Sequence, residues 1–400
     1  MKKIIFAVLA ALFFISCTSK TEKLQSKKEK LTRLNAAALY KDYIFPKTKT
    51  AEIELENYIK NLPLERKIAQ LFIENLEGNK TFRSYESFGD VTGKKDDTPM
   101  VAGGYLFFSY NLSDTVEETA SYVASIRIYT AQKGQIQPFL AIDQEGGWVN
   151  RLKKLTGKLP SQEEVTKNYD IAGAYDLYAR QAEKMAEIGF NMNLAPVIEV
   201  CTDDNREFLD GRSFGDALQT SAYGIACVNA YENKGIASVI KHFPGNTNTD
   251  PHTGLPEITL PEEELKKLIL PFKKVCQHEP AGVLMSHART SARDEKTPAC
   301  LSKVWVTDVL RNEYGYQGII FSDDIFMGAL ADNGFPPEKA AVLAIEAGVD
   351  CIMTSEKRFA KQARLIYKKA LEDPAFTSRI DQSVKRILQY KIKAGLFNLE

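Results

Sequence analysis

The chain has little histidine, no charge imbalance and no paired cysteines, and each shortage narrows what it can be. Only four of 400 residues are histidine, so each one standing beside a carboxylate carries weight. Lys+Arg and Asp+Glu are equal at 52 each, and this balance offers no basic surface to a nucleic acid. The six cysteines include no Cys-x-x-Cys, so neither a disulfide framework nor a zinc knuckle follows. Cys201, Cys227, Cys276, Cys300 and Cys351 read as free thiols, buried by default. No internal repeat and no interdomain linker is visible. No glycine-rich phosphate turn follows an early strand, which counts against a doubly wound nucleotide-binding sheet.

The one long apolar run is at the N-terminus. Lys2 and Lys3 precede Ile4 to Ile15, and Ser16-Cys17 follows. The run is too short to span a bilayer and reads as a signal peptide over residues 1–16. A small residue before a cysteine resembles a bacterial lipoprotein cleavage site, with Cys17 as the lipidated first residue. That reading is preferred to an ordinary signal peptide, and it puts the protein in the cell envelope or periplasm, anchored at Cys17. Residues 17–50 then form a polar tether and lead-in, followed by one catalytic domain over 51–400.

Past the tether, apolar runs alternate with helical periodicity. Strands are predicted at Ala69–Ile73, Gly103–Phe108, Phe139–Ile142, Met192–Pro196, Ile236–Lys241, Gly282–Ser286, Gly318–Phe321 and Val349–Met353. Amphipathic stretches such as Val116–Ala131, Ala172–Ile188, Ala217–Glu232, Pro261–Gln277 and Pro336–Ala347 separate them. Eight continuous apolar strands alternating with helices predict an α/β fold, a (β/α)8 TIM-type barrel. In such a barrel the loops after the strands gather on one face. The long polar segments Asn79–Pro99 and Val197–Ser213 are expected there.

The polar residues at the strand ends carry the chemistry. Asp143-Gln144-Glu145-Gly146-Gly147 follows the third strand, with Arg151 close behind. A carboxylate and an arginine there suit a polyhydroxylated ligand, or a structural ion pair. Arg212-Ser213-Phe214-Gly215 ends the loop after the fourth strand. Lys241 and His242 end the fifth, where Lys241 either meets ligand oxygens or pairs with Asp143 or Glu145. Asp250 and His252 are the sharpest pair, because a carboxylate on one imidazole nitrogen fixes the tautomer and leaves the other for proton transfer. A metal site of His242, His252 and Asp250 is the lesser reading. Ser286-His287 ends the sixth strand. Asp323-Asp324 ends the seventh, where one aspartate can act as nucleophile and the other as a cap.

In this order the motifs resemble the family 3 glycoside hydrolases, specifically the single-barrel β-N-acetylglucosaminidases, from about Leu62 to Leu396. The resemblance implies Asp323 as nucleophile and His252 as general acid/base oriented by Asp250. It implies Asp143, Arg151, Arg212, Lys241 and His242 as sugar ligands, with His287 a further candidate. It also implies retention of configuration, a carbohydrate substrate, and neither metal nor organic cofactor. No protein partner is implied. Phosphorolysis, another β-glycoside, or a non-catalytic sugar-binding surface lipoprotein are the alternatives. The chain departs from the family pattern in the acid/base loop, where Asn246-Thr247 replace His-Gly, the loop is shorter, and Pro251 replaces Ser. Trp148 stands where Arg is usual, and Glu199 where Asp is.

Overall fold

A computed structural model describes residues 49–399. Cys17, the signal segment and nearly all of the tether lie outside the described residues. Eight parallel strands close into a barrel: β1 Phe72–Asn75, β2 Gly104–Phe107, β3 Phe139–Ile142, β4 Met192–Asn193, β5 Ala237–Phe243, β6 Gly282–Met285, β7 Ile319–Asp324 and β8 Cys351–Thr354. They pair in sequence order, and β1 closes on β8 through Phe72↔Ile352 and Ile73↔Met353. The predicted fold class is the one observed.

Helices cover the barrel where the sequence supplies both an apolar stripe and a stop. Val116–Gln132 starts at Thr115, whose hydroxyl accepts the Glu118 N–H. Ile171–Ile188 starts at Asp170 and ends at Gly189, which adopts φ +106°. Ala217–Glu232 starts at Asp216, whose carboxylate accepts the N–H groups of Leu218 and Gln219. Each cap satisfies donors that the first turn leaves free.

Two expectations shift, and one element goes unforeseen. The apolar run from Ala69 is not strand from its start, because Leu64–Gln70 is helical and β1 begins at Phe72. The stretch predicted as one helix from Pro261 is two, Glu262–Leu268 and Leu270–Cys276. Val304–Glu313, between β6 and β7, is a π-helix that the periodicity did not reveal.

Side-chain alternation decides what the barrel holds. Gly282 on β6 has no room for a Cβ because the Phe321 ring of β7 fills that space, so both face inward. Two residues further along each strand lie Leu284 and Asp323, which line the same cavity. Lys241 stands two beyond Val239 on β5, and Val239 also packs beside Gly282. The strand period thus lifts charged groups to the top of an apolar interior. The neighbouring Phe243 is fully buried, with its ring 5.1 Å from Phe272 and 5.4 Å from Trp305. Such aromatic pairs are worth about 0.5–1.5 kcal/mol beyond their buried area, and they fix the end of β5. At the opposite end Lys391 Nζ donates to Gln70 Oε1 at 2.7 Å and to the Gly103 carbonyl at 2.8 Å.

Candidate active site

A cavity of about 470 Å³ opens at the C-terminal ends of the strands. Apolar side chains from the barrel interior, Leu106, Leu194, Leu284 and Met353, line it alongside the polar groups. Asp143, Arg151, Arg212, Lys241, His242, His252 and Asp323 all border it. Asp250 does not, but it holds His252 from behind.

Three of these positions, Asp143, Arg212 and Lys241, are joined by ion pairs that also involve Glu145. Lys241 Nζ lies 2.6 Å from Asp143 Oδ1 and 2.7 Å from Glu145 Oε1. Arg212 grips Glu145 with two parallel bonds, Nε to Oε2 at 2.8 Å and a terminal nitrogen to Oε1 at 3.0 Å. Burial alone would raise the Glu145 carboxyl. The charges of Arg212 and Lys241 outweigh it and hold the group well below the usual carboxylate range. Burial would likewise drain the proton from Lys241, and Asp143 and Glu145 reverse that, so the ammonium is stabilised. The structure therefore contains the ion pair weighed for Lys241, with both carboxylates at once. Asp143 pairs with Lys241 rather than with Arg151. The Arg151 guanidinium sits 6.0 Å from the Phe108 ring, and its buried Nε has no hydrogen-bond partner among the described residues. An unpaired buried donor beside a polar cavity is costly unless a ligand satisfies it.

Glu199 is a residue the motifs undervalued. It is buried, and its Oε1 lies 2.7 Å from His242 Nδ1. Its Oε2 accepts the Asn246 N–H at 2.6 Å. The longer side chain at this position thus reaches both the end of β5 and the start of the following loop. The Lys241–His242 and Phe243–Pro244 peptide bonds between them are cis.

Asp250 Oδ1 lies 2.7 Å from His252 Nδ1 and accepts the His252 backbone N–H at 3.0 Å. The backbone bond, then the ring bond, lowers the Asp250 carboxyl below its ordinary value. Pro251 lines the cavity, and its carbonyl accepts the Ala329 N–H at 3.1 Å. The shortened loop therefore still delivers its histidine to the cavity that Asp323 lines. Asp323 Oδ1 accepts the Asp324 N–H at 2.8 Å. Asp324 also borders the cavity, but its Oδ1 accepts the N–H groups of Phe326 and Ser355.

One expectation fails here. His287 does not reach the cavity. It is fully buried, with Nε2 3.0 Å from the Asp324 carbonyl and Nδ1 3.2 Å from Cys300 Sγ. Burial lowers its pKa against the opposing pull of Asp323, so it is a neutral prop beneath β7 rather than a ligand. The segment 79–99, which follows β1, lends no lining residue to the cavity. Its Glu86 is buried and accepts the N–H groups of Phe359 and Ala360. Among the described residues, no three His, Cys, Asp or Glu side chains converge as a metal centre.

The model of the glycosyl hydrolase family 3 N-terminal domain matches residues 64–390. The chain belongs to glycosyl hydrolase family 3. Beta-hexosaminidase A of Pseudoalteromonas piscicida is 30% identical over 329 residues, covering 73% of this chain and 53% of that protein. The chain thus spans about half the length of that relative. A family 3 beta-N-acetylglucosaminidase from Paenibacillus sp. str. FPU-7 superposes with a TM-score of 0.76 at 29% identity, over 84% of this chain and 63% of that one. Beta-N-acetylhexosaminidase from Beutenbergia cavernae superposes at 0.72 and 25% identity, over 83% of this chain and 99% of that one. The family 3 match covers every cavity residue from Leu106 to Ser355.

Proposed function

We propose that the protein is a retaining exo-β-N-acetylglucosaminidase, removing terminal β-linked N-acetylhexosamine from glycans or cell-wall fragments. The observation that carries this is the shared cavity. A histidine backed by Asp250 and a carboxylate at Asp323 border one space, beside a buried set of hydrogen-bonding charges. The names of the relatives support the substrate class.

In the first step the Asp323 carboxylate attacks the anomeric carbon and the glycosidic C–O bond breaks. Protonated His252 gives its proton to the departing oxygen. In the second, neutral His252 takes a proton from water, the water oxygen bonds to the anomeric carbon, and Asp323 leaves as a carboxylate. Two displacements retain configuration, with an imidazole in place of the more usual second carboxyl group. Asp143, Arg151, Arg212, Lys241 and His242 hold the hydroxyls of the terminal sugar, and the unpaired Arg151 Nε is the donor with most to gain.

The mature chain is expected to hydrolyse p-nitrophenyl N-acetyl-β-glucosaminide. Asp323→Ala is expected to lower turnover on the order of 10³-fold or more. Wild-type turnover in that variant would remove Asp323 from the role. Adding phosphate separates hydrolysis from phosphorolysis, since only the latter yields sugar 1-phosphate. Binding of N-acetylglucosamine with no release from any activated glycoside would leave a sugar-binding protein instead.

For placement, the reading is an exported protein held in the cell envelope by a lipid on Cys17, with residues 17–50 as the tether. Lys2-Lys3, the apolar run and Ser16-Cys17 support it. Cys17→Ser should move the protein from the detergent phase to the aqueous phase. An unmodified Cys17 in the mass spectrum of the mature protein would sink the anchor.

A further inference from the structure

The loop from Asn246 to His252 departs from the family pattern, yet it carries the acid/base pair. The side chains of that pair receive little help from packing. The His252 side chain is 67% exposed and that of Asp250 56%. The backbone path of the loop must therefore aim the imidazole. We propose that Asn248 is the positioning residue that sets this path, an inference that rests on the acid/base role proposed for His252.

Asn248 spends its side-chain amide and its backbone N–H on one neighbouring segment. Its Oδ1 accepts the N–H groups of Glu207 at 2.9 Å and Phe208 at 3.2 Å. Its Nδ2 donates to the Asp203 carbonyl at 3.0 Å. Its own N–H donates to the Asp204 carbonyl at 2.6 Å. These four bonds tie the middle of the acid/base loop to the loop that follows β4. The same segment sets Phe208 in the cavity wall, with the Arg212 guanidinium 5.4 Å from its ring.

The far end of the loop has its own anchor. Pro251 accepts the Ala329 N–H, and a Cβ on Gly328 would stand 2.6 Å from the His252 carbonyl oxygen. Between the anchors, the Asp250 carbonyl accepts the N–H groups of Thr253 and Gly254 and closes a turn. His252 thus hangs between two points, one at Asn248 and one at the turn after β7. Tethering replaces the residues that the shorter loop lacks. Loss of the Asn248 tether leaves the buried charges untouched, so sugar binding survives while proton delivery suffers.

A residue that merely folded the 203–208 segment would disturb Phe208 and weaken binding instead. The experiment separates the two. Asn248→Ala is made in the full mature chain and assayed on p-nitrophenyl N-acetyl-β-glucosaminide and on a β-linked N-acetylglucosamine disaccharide. A nitrophenolate leaves without much protonation, and a sugar alkoxide does not. The expected result is a loss in kcat/KM, which reports the glycosylation step alone, at least about tenfold larger on the disaccharide than on the nitrophenyl glycoside. KM is expected to stay within about twofold on both. Asn248→Asp keeps the acceptor for the two amides and is expected to recover most of the loss. Amide hydrogen exchange over residues 246–254 is expected to quicken about tenfold in the alanine variant, without change in the barrel strands.

Equal losses on both substrates, a rise in KM alone, or unchanged exchange over the loop would each overturn the proposal. If the wild type cleaves no glycoside, the functional reading falls and the catalytic consequence with it. The exchange measurement then still decides whether Asn248 holds the loop.

Discussion

Asp143, Glu145, Arg212 and Lys241 occupy one side of the cavity, and none of their side chains is more than 16% exposed. His252 also borders the cavity, and both it and the Asp250 that holds it are more than half exposed. The first group is fixed by its own charges, because each member is bound by a partner of opposite sign. The second is fixed by backbone anchors in the loop that carries it. Binding demands a set of directions that do not change between the states of the reaction. Proton transfer requires an imidazole that meets solvent and the departing group in turn. A buried lattice suits the first task and an exposed, tethered pair the second.

The contrast is tested most severely at Glu145. Glu145→Gln leaves Arg212 and Lys241 facing a neutral amide in a buried site and is expected to cost about 3–5 kcal/mol of stability, read by urea unfolding at pH 7. A cost below about 1 kcal/mol, the scale of an exposed pair, would put both sides of the cavity on the same footing.

A pH series sharpens the same point. The Glu145 carboxyl has a folded-state pKa below its unfolded value, so its contribution is complete above about 4.3, the ordinary glutamate value. It declines as pH falls below that value, because the unfolded chain takes up a proton that the folded chain refuses. Unfolding free energy should fall more steeply between pH 4 and pH 3 in the wild type than in Glu145→Gln, with those pH values taken at about the carboxylate midpoint. Equal slopes would count against the network.

Arg151→Ala is expected to act on binding. It should raise KM for the nitrophenyl glycoside by about tenfold, near 1.4 kcal/mol, with kcat little changed. A fall in kcat with unchanged KM would place Arg151 in the transition state instead. The smallest change in stability is expected on the exposed side. Asp250→Asn should alter the unfolding free energy by no more than about 0.5 kcal/mol while slowing the poorest leaving groups. A large destabilisation there would show the pair to be part of the scaffold.

Much of this was legible in the residue order. Strands of a parallel barrel are apolar on both faces, so their ends are marked by the first charged residue, as at Asp143, Lys241 and Asp323. The boundary of β1 was not, because Leu64 to Leu71 suits a buried helix turn as well as a strand. Links between distant segments were also hidden. Glu145 and Arg212 are 67 positions apart, and Glu199 meets His242 across 43. A glutamate in place of aspartate reads as a minor change until the distance it must span is known. His287 misled because a histidine at a strand end looks the same in sequence whether it faces the cavity or the layer behind it.

The apolar side chains beneath the charged groups also govern traffic. Leu106, Leu194, Leu284 and Met353 belong to the packed barrel interior, so the chamber is a dead end. Whatever enters must back out by the same door. Under the proposed function, a freed monosaccharide competes with the next chain end for one seat, and successive cuts on a polymer are separated by complete departure and return.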